Sequence, residues 1–151
     1  MKDFLKDLID HTNGLGGVEL LKVNGTDSET NFNAVAENKR VIISGTFKNP
    51  ISDFIGTFGM PNLAKLKTIL GIDEYRENAN LSVNKQDRNG ETVPVGVHFE
   101  NAVGDFKNDY RFMTAEIINE KLKAVKFRGV KWHVDIVPTN ASIQRMKFMA
   151  S

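Results

Sequence analysis

The sequence predicts an α+β fold built on antiparallel sheet. Two observations carry this expectation. Helical and strand-like periodicities fall into separate blocks, in the order helix, four strands, helix, three strands, with no alternation of strand and helix of the kind a parallel wound sheet needs. An Asn89-Gly90 pair also sits between two strand-like runs, the commonest signature of a two-residue hairpin turn.

Taken in order, Phe4, Leu5, Leu8 and Ile9 share one face of a short first helix, which "HTNGLGG" ends. The runs "VELLKVNG", "TNFNAVAE" and "RVIISGTF" then read as strands, separated by turn residues such as Asn24-Gly25 and Glu37-Asn38-Lys39. "DFIGTFGM" alternates as a fourth strand. It leads into a helix over 61–70, with Pro61 in the first turn, Leu63, Leu66, Ile69 and Leu70 on the apolar face, and Gly71 just past the end. "NLSVNKQD" and "ETVPVGVHFEN" form the hairpin around Arg88-Asn89-Gly90, and "DYRFMT" reads as another strand. After Thr114, "AEIINEKLKAV" has helical spacing in Ile117, Ile118, Leu122 and Val125. The window from Lys121 to Lys131 then carries five basic residues and no acid, a pattern that most often marks a solvated linker face.

The last segment has a different character. "KWHVDIVP" alternates as a strand, and "TNASIQRMKFMAS" opens a helix that Thr139, Asn140 or Ser142 can cap. Its apolar side holds Ile143, Met146, Met149 and Ala150. The expectation is one complete domain over 1–113, a connector over 114–131, and the start of a second, truncated domain over 132–151.

Composition narrows the chemistry. A chain of 151 residues holds one ordinary domain with a proper core, and a net charge of +1 neither demands nor excludes nucleic acid. With no cysteine there is no disulfide and no thiolate ligand or nucleophile, which is compatible with a reducing cytoplasm. The N-terminus has acids through its apolar part, unlike a signal peptide, and no apolar run is long enough to span a bilayer. His11, His98 and His133 lack ligand partners at metal-binding spacing, and Asp3, Asp7 and Asp10 read as a solvated helix face. Neither a nucleophile elbow nor a zinc-protease or kinase signature occurs, so no catalytic residue, metal or cofactor is expected. "GTFGMP" resembles a phosphate loop only superficially. A Walker loop places lysine directly after its last glycine, whereas Gly59 is followed by Met60 and by Pro61, which lacks a backbone donor.

The runs "ISDFIGTFGMPNLAKLKTIL", "NLSV", "DYRFMTAEII" and "VKFRGVKWHVDIVPTNASIQ" resemble the sliding clamps, or DNA polymerase processivity factors, of T4-type bacteriophages. The similarity extends over most of the chain, by pattern and element order more than by invariant motifs. It implies a clamp domain with two helices on one face of an antiparallel sheet. It further implies a homotrimeric ring, in the full-length form, that encircles duplex DNA without sequence preference and tethers the polymerase, with ATP left to a separate clamp loader. The inner wall implied by the resemblance carries Lys65 and Lys67 on "PNLAKLKTIL", Lys6 on the first helix, and Arg145 and Lys147 on the last. Lys2 and Lys6 share their polar face with three aspartates. A fragment keeping only one ring-closing edge is expected to be a monomer or a weak dimer. The alternatives are a phage structural or assembly protein, or a small phosphate-ligand-binding enzyme using "NGLGG" or "GTFGMP".

Overall fold

The computed structural model describes residues 1–15, 17–39, 41–88, 90–123 and 131–150. Among the described residues the fold is α+β, with four helices and two antiparallel sheets. Helix α1 spans Lys2–Asp10, α2 Leu63–Leu70, α3 Ala115–Lys121 and α4 Asn140–Ala150. The strands are β1 Leu20–Gly25, β2 Thr30–Val35, β3 Ile42–Thr46, β4 Gly56–Pro61, β5 Asn80–Arg88, β6 Glu91–Glu100 and β7 Lys107–Arg111. The first sheet has the order β3-β2-β1-β4 and the second β5-β6-β7.

Side-chain alternation divides the first sheet cleanly. Leu21 and Val23 of β1 stand beside Met60 and Phe58 of β4 on the buried face, with Ala34 and Phe32 of β2 on their other side. The opposite face is polar and tied across the strands: Ser44 donates to Asn33, Thr46 to Asn31 and Thr57 to Asn24. Helices α1 and α2 cover the buried face together. Leu5, Leu8 and Ile9 of α1 join Leu63, Leu66 and Ile69 of α2 in one core. Helix α3 lies on the other face. Ile118 packs directly over Gly59, where an added Cβ would sit 2.8 Å from it.

The two sheets meet at β4. Gly59 and Met113 exchange backbone hydrogen bonds of 3.0 and 2.7 Å, an isolated antiparallel bridge that brings the end of the second sheet to the edge of the first. Behind it the rings of Phe58 and Phe112 stack at 4.5 Å, and Phe54 meets both edge-on. Phe4 of α1 reaches the same aromatic group through Phe54. Leu81, Val83, Val97, Phe99 and Tyr110 of the second sheet belong to the same core, so both sheets share one interior.

Several sequence expectations change in detail. Pro61 does not enter α2; it ends β4 opposite Leu20, and Asn62 caps the helix in a left-handed conformation, accepting from the Lys65 N–H at 3.0 Å. Asparagine tolerates that conformation and supplies the acceptor that proline lacks. The fourth strand starts at Gly56, because Ser52–Phe54 forms a 3-10 turn crossing over Gly25, where a Cβ would collide with the Phe54 carbonyl. The β5–β6 hairpin closes as its sequence implies, with Arg88 opposite Glu91 and Gly90 at φ 84; Asn89 lies outside the described residues. A register shift at Asn84/Lys85 places Pro94 at a bulge, where its missing N–H is tolerated.

The expected strand "KWHVDIVP" does not form over its described part, 131–138. Alternation supplies only the period; a strand also needs a neighbour for its backbone groups. Here Trp132, Val134 and Ile136 are exposed. Helix α4 does form, and Thr139 is its cap, accepting from the Ser142 N–H at 3.2 Å through its hydroxyl and from the Ile143 N–H at 3.0 Å through its carbonyl. None of its residues is buried. Residues 124–130 of the expected connector lie outside the described residues.

Two consequences are measurable. Gly59→Val forces a branched side chain into Ile118 and should cost about 1–3 kcal/mol in urea unfolding. Combining it with Ile118→Ala should cost at least about 0.5 kcal/mol less than the two separate losses summed, because the clash is gone. The second concerns Tyr110, whose hydroxyl donates to the Pro61 carbonyl at 2.5 Å. Burial, aided by the Glu19 carboxylate, pushes this phenol far above the ordinary tyrosine range. The folded state therefore favours the neutral form. Its contribution should be complete below the unfolded tyrosine value of about 10 and be lost progressively as pH rises beyond it. Tyr110→Phe should cost about 0.5–1.5 kcal/mol near neutrality and flatten that alkaline loss, as read from urea melts at about pH 8 and about pH 11.

Candidate nucleic-acid interface

Helices α1 and α2 lie side by side over the sheet, and their solvent-facing flanks leave a groove of about 370 Å³ between them. Its floor is apolar, from Ile9 and Leu70, and Gly71 keeps one end open. Its walls carry Lys2, Lys6, Lys67 and Arg76 against one carboxylate, Asp10. Four cations over an apolar floor attract a chain of phosphates without offering groups that would read a base edge.

The elements explain the convergence. Lys2 and Lys6 are one turn apart on α1, so they share a side of that helix. The mixed polar face seen in the sequence is thereby sorted. The two lysines and Asp10 line the groove, whereas Asp7 turns to His11, whose Nδ1 lies 3.2 Å from its carboxylate. Lys67 sits in the last turn of α2, where a cation also favours the helix dipole. Arg76 follows the 3-10 turn Asp73–Tyr75 that returns the chain toward α1. Lys2 fastens that turn. Its ammonium donates to the Tyr75 carbonyl and, at 2.9 Å, to the Arg76 carbonyl. Tyr75 itself is buried against Phe99 and Phe106, and its hydroxyl accepts from Asn108. Arg76 also pairs with Asp73 at 2.9 Å, but both side chains are exposed, so the pair leaves most of its charge open to solvent.

Of the residues singled out in the sequence, Lys6 and Lys67 come together in this groove. Lys65 is on the exposed side of α2, outside the groove lining. Arg145 and Lys147 are on α4 and do not line it. Lys2 and Arg76 are additions that the fold makes to this set. The four-residue spacing of Lys2 to Lys6 is visible in the sequence, whereas Arg76 is hidden among acids in "DEYREN" and only the return of the chain brings it to α1.

The glycines of "GTFGMP" serve the sheet. Gly59 spends both its backbone groups on Met113, so its N–H cannot face a phosphate. Near "NGLGG", the Asn13 carboxamide donates to the Val18 carbonyl and to Glu19, closing a turn. Gly16 lies outside the described residues. Among the described residues no group of three metal-binding side chains is placed to hold an ion, and no helix is long and apolar enough to cross a membrane.

Compared with known proteins, the chain matches no family model and no curated sequence.

Replacing Lys2 by Met should lower stability by about 1 kcal/mol in denaturant unfolding, because two carbonyls of the turn lose a charged donor. Lys2→Arg, which keeps donors on a long stem, should retain most of it.

Proposed function

We propose that the chain is a clamp-type processivity factor of the T4-phage kind, non-catalytic, which holds duplex DNA without sequence preference and tethers a replicative polymerase. One observation carries the reading. Helices α1 and α2 lie together on one face of a joined antiparallel platform, and the cations of both helices converge on a single groove. A protein that must slide needs attraction spread over phosphates and no contact that pins it to a base. The groove's apolar floor and flexible lysines suit that requirement.

In this reading residues 1–113 are the first clamp domain, with a DNA-clamp fold, and 114–131 the connector. Helix α3 leads the connector away on the face opposite α1 and α2. Residues 132–151 belong to the second domain, whose helix adds Arg145 and Lys147 to the inner wall. The exposed apolar side chains of that segment include Trp132, Val134, Ile136 and Met146. Strands β3 and β5 end the two sheets, and one of these edges joins the next subunit of a trimeric ring. The clamp loader and the polymerase are partners of the assembled ring, and the setting is the cytoplasm of an infected cell.

Duplex-DNA binding measured across a series of salt concentrations tests this. Changing Lys6, Lys65 and Lys67 together to Ala should weaken binding equally on unrelated sequences. The slope of log affinity against log salt should become shallower by about 0.9 for each phosphate that the protein no longer neutralises. Arg145→Ala with Lys147→Ala should flatten it further. An unchanged slope removes these residues from the interface, and a strong preference for one sequence rejects a sliding mechanism.

A further inference from the structure

The outer face of the second sheet carries an arrangement that DNA in the α1–α2 groove would not use. The register places Asn84 of β5, Gly96 of β6 and Arg111 of β7 in one row across the sheet. Asn84, Gln86 and Arg88 alternate along β5 and so share this face. Together with Asp109 these residues line a polar trough of about 490 Å³. Gly96 keeps its centre bare; a Cβ there would lie 2.7 Å from the Tyr110 carbonyl, so no side chain can fill it.

The charges in the trough are unequally engaged. His98 Nδ1 lies 2.9 Å from the Asp109 carboxylate, with Glu100 on the other side of the imidazole, and Lys107 pairs with Glu100. The acids at that end are therefore already partnered. Arg111 makes no ion pair among the described residues. Arg88 donates through Nε and Nη2 to the Gln86 carboxamide at 3.3 and 3.1 Å, which orients its guanidinium, and the Glu116 carboxylate lies within its field. Arg111 stands directly beside the bare Gly96, and Arg88 lies four residues along β5 from Asn84 of that row, with Gln86 between. The trough therefore offers two guanidinium forks to planar anions that accept paired hydrogen bonds.

We propose that this trough is a docking surface for an acidic segment of a partner polypeptide, with one carboxylate held by Arg111 beside Gly96 and another by Arg88 farther along β5. A nucleic acid fits it less well. Of the aromatic residues that line the trough, Tyr110 is buried and Phe112 packs against the core, so neither is presented to stack a base. Short acidic side chains place charge only where the arginines are. The trough lies on the sheet face turned away from α1 and α2, so its occupancy is independent of what the groove binds.

The test uses a fluorescein-labelled twelve-residue peptide of alternating Glu and Ser, its Gln counterpart, and a duplex of about 12 base pairs, each titrated into the 151-residue protein. Anisotropy gives affinity, and amide shifts in the spectrum of isotopically labelled protein locate the contact. The Glu peptide should bind and move the Gly96 and Arg111 amides, while the Gln peptide binds at least about tenfold more weakly. Arg88→Ala and Arg111→Ala should each weaken the Glu peptide by about tenfold. Both residues are exposed, so the melting temperature should hold. The Arg88→Lys/Arg111→Lys pair keeps charge and stem but loses the fork, and it should still bind more weakly than the parent. Equal binding of the Gln peptide, shifts confined to other surfaces, or duplex DNA moving the same amides more strongly than the Glu peptide would each overturn the proposal.

Discussion

The fold depends on the junction where β4 meets the second sheet. Two consecutive residues make it from opposite faces. Phe58 stacks on Phe112 inside, while Gly59 bridges to Met113 and receives Ile118 outside. Each sheet has one apolar face that must be covered. Joined here, they bury one continuous core. Glycine is required at this point because three elements converge on it: the bridge uses its backbone, and the helix on the outer face uses the space a side chain would occupy.

That junction also sets the spacing of the two helices above it. Helix α1 is held through Phe4, which touches Phe54, which in turn touches both Phe58 and Phe112. Helix α2 follows directly from β4 through the Asn62 cap, so its position is tied to the same strand. The groove between them is thus a consequence of core packing. Its cations have no direct mutual attraction and gather only because the apolar faces beneath them are buried together. Lys2 adds a lateral tie, fastening the turn that carries Arg76.

The division of surfaces follows from strand alternation. One face of each sheet is committed to the core, which leaves the other largely polar, covered on the first sheet only where α3 packs Ile118 over Gly59. On the first sheet that face is closed by hydroxyl-to-carboxamide bonds between neighbouring strands. On the second it carries paired acids at one end and two arginines at the other. The cationic groove and the arginine trough therefore share no lining residue and lie on different elements, one between α1 and α2 and the other across β5, β6 and β7.

Much of this was legible in the sequence, for identifiable reasons. Among the described residues, seven of the eight expected strands and the four helices follow from periodicity, and the β5–β6 hairpin from turn chemistry, because these are decided within a few residues. Helix α2 does stop at Gly71, but in an ordinary right-handed conformation that does not need glycine. The capping role of Asn62 in place of Pro61, the 3-10 turn before β4 and the absence of a strand over 131–138 were not legible, since each depends on what lies alongside. A strand exists only with a neighbour to take its hydrogen bonds, and the apolar alternation around Trp132 has none among the described residues. Lys6 and Lys67 could be named one by one from their helices. That they face each other, with Lys2 beside them and Arg76 brought from an acidic run, was decided by tertiary structure, because local sequence sets the face of a helix that is polar and only packing of its apolar side sets where that face points.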